Sequence, residues 1–232
     1  MSRVNECEEH GAIGGAETPR RPVRVAIVYH SVKGHVAKLA EAVVEGVQHV
    51  PEAAADLVAL HGPSAAFWEV LDRADALVFG CPTYMGGVSS VFKAFAEQSL
   101  GPWLDNLRWR NKVAAGFTHS QAMSGDKLHA LQYFTILAAQ HGMLWVPLDL
   151  YPGWCSRAGA ITDLNRLGGW LGVISQSDRD AALDAAPNSG DLETARYLGR
   201  RVAEVTRDLL VGRHAADRGN GACQMQGSKS ET

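Results

Sequence analysis

Three short stretches of this sequence carry residues able to do chemistry, and each follows a run of apolar residues. The first is His30-Ser31-Val32-Lys33-Gly34-His35, after which Val36 begins a helical pattern. A serine hydroxyl beside the free N–H groups of a helix start suits an anion such as a phosphate, and Gly34 permits a tight approach. The same Ser31 reads equally as an ordinary helix cap. The second stretch is Gly80-Cys81-Pro82-Thr83-Tyr84-Met85-Gly86-Gly87-Val88. A proline, an aromatic, a methionine and paired glycines make a flat apolar lip with exposed backbone, suited to the edge of a planar heteroaromatic ring. A purely structural Gly-Gly turn is the alternative. The third, Thr118-His119-Ser120-Gln121-Ala122-Met123-Ser124-Gly125-Asp126, offers hydroxyls, an imidazole and an amide. Further on, His141 precedes Gly142, either as a cation at a helix end followed by a cap glycine or as a functional imidazole.

The elements that must position these loops alternate strictly. Val23–Tyr29 is a β-branched run of the kind buried on both faces of a sheet, and Gly34–Gln48 repeats apolar residues at helical spacing. Asp56–Leu60, Ala76–Gly80, Lys112–Thr118 and Met143–Leu148 read as further strands. Ala65–Leu71, Val88–Leu100, Lys127–Gln140 and Leu192–Leu210 read as helices, with a loop-rich stretch over Asp149–Gly190. Such alternation gives an α/β doubly wound, parallel five-stranded sheet with helices on both faces and right-handed crossovers, in the flavodoxin-like order 2-1-3-4-5. In that architecture ligands sit beyond the carboxyl ends of the strands, where the three unusual loops fall.

With 232 residues, 46% hydrophobic and 20% charged, the chain has material for one full core. A net charge of −3 gives no basic face for nucleic acid and no membrane anchor. The four cysteines, Cys7, Cys81, Cys155 and Cys223, form no CxxC pair, which fits a reducing, cytoplasmic setting and no metal site. Residues 1–21, which lack a signal-peptide core, and residues 213–232 read as disordered tails around a single domain over 22–212.

The motifs YHSVKGH, GCPTYMGG with its following FKAF helix, and LAAQHGMLWVP together resemble the flavodoxin-like quinone reductases of the tryptophan-repressor-binding-protein type. The resemblance runs from about Val23 to Leu210 and implies FMN as cofactor, with NADH or NADPH as electron donor. It implies that Ser31, Val32, Lys33, Gly34, His35 and Val36 wrap the FMN phosphate. Pro82, Thr83, Tyr84, Met85 and Gly86 would lie along the ring, and Thr118, His119, Ser120, Gln121, Ala122, Met123 and Ser124 would also bind the cofactor. It places His141 close to the flavin as the candidate catalytic proton donor. Trp103, supplied by a neighbouring subunit, would line the substrate site with Tyr84.

The implied activity is ping-pong transfer of a hydride from NAD(P)H through FMN to a quinone or other small aromatic acceptor, in a homodimer or homotetramer. The family's usual members carry an arginine where Tyr84 stands, a glycine-rich loop where HSQAMSG stands, and a longer segment near the second strand. The competing reading is an FMN electron carrier of the flavodoxin type. A phosphoacceptor receiver domain needs acidic strand ends, and Tyr-His-Ser and Gly-Cys-Pro stand there instead. Cys81 reads as a small buried residue or a reactive thiol.

Overall fold

A computed structural model describes residues 21–62 and 64–227. Strand β1 (Val23–Tyr29) leads into helix α1 (His35–Gln48), and β2 (Ala53–Ala59) into α2 (Ala65–Arg73). β3 (Ala76–Tyr84) turns back through the short β4 (Gly87–Val88) into α3 (Ser90–Gln98) and α4 (Leu100–Leu104). β5 (Val113–Ser120), α5 (Lys127–Gln140), β6 (Leu144–Trp145), β7 (Val173–Gln176) and α6 (Ser189–Gly227) complete the chain.

The order β2-β1-β3-β5-β6 is parallel throughout and is the flavodoxin-like order expected from the alternation of elements. Val25, Ala26, Ile27 and Val28 of the central β1 have no accessible surface, which explains why the strand reads as an unbroken apolar run. One face packs Val25, Ile27 and Phe117 against Leu39 and Val43 of α1 and Leu198 and Val202 of α6. The other packs Val28, Leu77 and Phe79 against Leu71, Phe92, Phe95 and Phe134.

The fifth strand differs from the sequence expectation. Met143–Leu148 does not run as one strand: Leu144–Trp145 pairs with Val113–Ala114, and the chain then leaves the sheet. It returns as Val173–Gln176, beside Phe117–Ser120. Two short pieces therefore share one edge position, and the loop-rich segment is an insertion between them. Val146 N–H still donates to the Ala114 carbonyl at 2.7 Å, but Leu148, the next donor in register, turns to the Trp170 carbonyl at 3.0 Å, which ends the first piece.

The last helix also differs. It continues past Leu210 to Gly227, so residues 213–227, expected as tail, are helical. No proline interrupts the chain after Ser189. The remaining tail residues, 1–20 and 228–232, lie outside the described residues. Among the described residues no helix is long and apolar enough to cross a membrane.

Candidate functional site

At the carboxyl ends of β1, β3 and β5 the three loops enclose a cleft of about 280 Å³. It is lined by Ser31, Val32, Lys33, His35 and Val36 from the first loop and Pro82, Thr83 and Tyr84 from the second. His119, Ser120 and Gln121 close it from the third. Eleven of the residues expected around the cofactor thus converge.

The first loop has the chemistry that an anion requires. Gly34 sits at φ 89°, the left-handed region that favours glycine, and turns the chain into α1. The Ser31 hydroxyl accepts from the N–H groups of Gly34 and Ala37, both at 3.2 Å. The N–H groups of Val32, Lys33, His35 and Val36 find no acceptor among the described residues. Free N–H groups converging at a helix start are what a terminal phosphate requires. Ser31 therefore satisfies the Ala37 N–H of the first helical turn and holds the loop in shape, while Gly34 takes the N-cap position itself.

The second loop is a hairpin rather than a loose lip. Thr83 pairs with Val88 and Tyr84 with Gly87, while Met85 at φ 48° and Gly86 at φ 79° form the two-residue turn. Positive φ at both central residues is the hairpin geometry that matches strand twist. Met85 stands wholly exposed at the tip, outside the cleft. The Gly86 carbonyl lies 2.5 Å from Nδ1 of His129. Beneath the cleft, Thr118 Oγ1 donates to the Cys81 carbonyl at 2.7 Å and lies 2.8 Å from Thr83 Oγ1, tying the second and third loops together.

The third loop is held by a residue the sequence reading did not single out. The buried Lys127 donates from Nζ to Ser120 Oγ at 3.0 Å, the Ala122 carbonyl at 2.7 Å and the Met123 carbonyl at 2.9 Å. Ala122, Met123 and Ser124 therefore shape the loop from outside the cleft rather than line it. Burial pushes Lys127 down to about 8, with nearby Asp191 opposing. A lysine opening a helix faces the positive end of the helix dipole, and that misfit was the available signal.

His35 and His119 meet inside the cleft with ring centroids 4.9 Å apart. Burial, then the charges of Lys33 and Lys38, lower His35 below its ordinary value. Its Nε2 is buried without a hydrogen-bond partner among the described residues. His119 is pushed down to about 3, chiefly by burial and further by His35, Lys127 and Arg166, so it is neutral at ordinary pH. A free nitrogen, four free N–H groups and an apolar wall fit a phosphorylated heteroaromatic cofactor.

His141 and Trp103 lie elsewhere. Helix α5 runs antiparallel to the strands, so its carboxyl end falls at their amino ends, away from the cleft. His141 and Trp103 share a separate cavity of about 400 Å³ with Ser99, Leu100 and Tyr133. Ser99 Oγ donates to the Ala96 carbonyl and must therefore accept from Nε2–H of His141, at 2.9 Å. Burial pushes His141 down to about 4, and its ring rests 4.5 Å from that of Trp109. Within one chain it is a buried structural imidazole and does not reach the cofactor cleft. Cys81 is fully buried and pushed up to about 12 by burial, against opposing hydrogen bonds to Ser89, so it is no reactive thiol. Among the described residues no group of three or more His, Cys, Asp or Glu can hold a metal ion.

A family model described as NADPH-dependent FMN reductase matches residues 23–151. Over 190 residues the chain is 40% identical to the flavodoxin FldP of Pseudomonas aeruginosa, covering 80% of this chain and 98% of that protein. It is 30% identical over 207 residues to an NAD(P)H dehydrogenase (quinone) of Archaeoglobus fulgidus, covering 80% and 98%. The crystal structure of a flavodoxin, WrbA-like protein from Agrobacterium tumefaciens superposes with a TM-score of 0.60 at 40% identity, again covering 80% and 98%.

Proposed function

The chain belongs to the NADPH-dependent FMN reductase family, and from that premise we propose that it is an FMN-dependent oxidoreductase passing a hydride from NADH or NADPH to a quinone or similar small aromatic acceptor. The observation that carries the reading is the cleft, where four unpartnered N–H groups meet an apolar wall. When bound there, FMN supplies the hydride-transferring ring. The chain's own residues bind, orient and shield. Val32, Lys33, His35 and Val36 would hold the phosphate through their backbone N–H groups, with Ser31 keeping the cradle in shape. Pro82, Thr83 and Tyr84, with His119, Ser120 and Gln121, line the cleft and would flank the ring.

The sequence holds no second glycine-rich βαβ unit for a nicotinamide nucleotide, which supports donor and acceptor taking turns at one face. Trp103 would act across a subunit contact in a homodimer or homotetramer, since within one chain it lies outside the cleft. A cytoplasmic setting belongs to the same reading. The second reading, an FMN electron carrier, is supported by the 40% identity to a protein named as a flavodoxin.

Anaerobic titration separates them. The FMN-loaded protein is expected to lose its flavin absorbance on adding NADPH or NADH and regain it with a quinone. Protein that ignores both nucleotides yet accepts electrons from a ferredoxin would establish the carrier. Protein that binds no FMN would refute both.

A further inference from the structure

His119 serves the cleft as a wall, yet two serine hydroxyls hold its ring nitrogens and one of them leads on to a buried ion pair. His119 of β5 stands opposite Ser175 of β7 in the sheet register. Its Nδ1 lies 3.1 Å from Ser175 Oγ and its Nε2 lies 3.1 Å from Ser177 Oγ. Ser175 Oγ in turn donates to Asp191 Oδ2 at 2.9 Å. Asp191 also accepts from Arg166 Nε at 2.7 Å, Arg166 Nη2 at 2.9 Å and the Gln176 N–H at 3.0 Å. The Arg166 and Asp191 side chains are 1% and 2% exposed, so the pair is sealed from solvent.

The direction of each hydrogen bond follows from proton bookkeeping. A hydroxyl has one proton, and that of Ser175 goes to the carboxylate, which can only accept. Ser175 must then accept from His119, which places the imidazole proton on Nδ1. Nε2 is left bare and can only accept, so Ser177 donates to it. Both ring nitrogens are engaged, and neither offers an N–H to the cleft.

We propose that Asp191 is a positioning residue of the cleft: acting through Ser175, it fixes His119 as the Nδ1–H tautomer, so that the ring meets the cleft and His35 as an uncharged, immobile wall. His35 is then the imidazole of the cleft that keeps a free nitrogen for the ligand. The value of this arrangement to cofactor binding rests on the FMN reading; the tautomer does not. The charged groups around His119 are Lys127, Arg166 and Asp191, with His35 against its face.

The test uses the full chain, first without cofactor, with ring nitrogens of histidine observed by long-range proton–nitrogen NMR. Wild-type His119 is expected to show a protonated Nδ1 and a bare Nε2, unchanged from about pH 5 to 8. Ser175→Ala is expected to move the proton to Nε2, where it donates to Ser177, and Ser175→Thr to restore it to Nδ1. FMN titration of the same proteins is expected to show about tenfold weaker binding for Ser175→Ala, the size of one lost buried hydrogen bond, and near wild-type binding for Ser175→Thr. A wild-type ring protonated at Nε2, or a tautomer unchanged by Ser175→Ala, overturns the relay. A shifted tautomer with unchanged FMN affinity overturns the positioning role. Wild-type protein that binds no FMN refutes the functional reading while the spectra still judge the relay.

Discussion

Two neutral buried histidines make this fold sensitive to mild acid, and the size of the effect follows from their surroundings. His119 is held down to about 3 by burial and by neighbouring His35, Lys127 and Arg166; His141 is held down to about 4 by burial. In the unfolded chain both titrate near about 6.5. The sign is fixed by which state binds the proton. Below the unfolded value the unfolded chain takes up protons that the folded one refuses, so stability falls as pH drops from about 6.5 toward the folded values. At about pH 5 each unfolded imidazole is almost fully protonated and each folded one is not. Each residue therefore contributes about 2 kcal/mol less stability at about pH 5 than at about pH 7.5, or about 4 kcal/mol for the pair. That is a large share of the roughly 5–15 kcal/mol available to a domain. Ordinary carboxylates remain largely ionised in both states over this window and add little.

The assay is urea unfolding of the cofactor-free protein at the two pH values, for wild type, His119→Gln and His141→Gln. Each variant is expected to lose about 2 kcal/mol of the pH-dependent drop, whatever its absolute stability. Equal wild-type stability at both pH values refutes the reasoning. So does a full drop retained by both variants.

Two further substitutions probe the scaffold. Lys127→Met removes the donor to Ser120 Oγ and two loop carbonyls. It is expected to cost about 1–3 kcal/mol and to weaken FMN binding, read by quenching of flavin fluorescence; unchanged affinity would show that the third loop holds its shape without the ammonium. Gly46→Ala would place a Cβ 1.9 Å from the Arg196 carbonyl oxygen, backbone that cannot move aside without parting α1 from α6. A loss of about 3 kcal/mol or more is expected in urea unfolding, whereas Gly212→Ala, with open space around its Cβ, should be neutral or stabilising by up to about 1 kcal/mol.

Much of the site could be read without coordinates because its residues are local to strand ends. Apolar runs at Val23–Tyr29 and Ala76–Gly80 mark central strands, and a parallel sheet delivers the loops after them to one edge. Ser31–Val36, Pro82–Tyr84 and His119–Gln121 reach the cleft for that reason alone, apart from Gly34, which turns the chain. His141 was expected there from resemblance, and Trp103 only from a neighbouring subunit. A helix antiparallel to the sheet carries His141 to the opposite end, and only the fold decides that direction.

The sequence by itself determined the central strands, the helices between them, their parallel arrangement and the polar helix-start character of the first loop. Those properties depend on side-chain periodicity and on neighbours within a few residues. The tertiary structure decided what long-range register brings together. It split the fifth strand into two pieces that share one edge, because the Leu148 N–H leaves the ladder for the distant Trp170 carbonyl. It placed Ser175 opposite His119 and Asp191 behind Ser175, contacts separated by 56 and 16 residues along the chain. No local pattern encodes such pairs: their energy appears only when packing has removed the water that would otherwise satisfy each group.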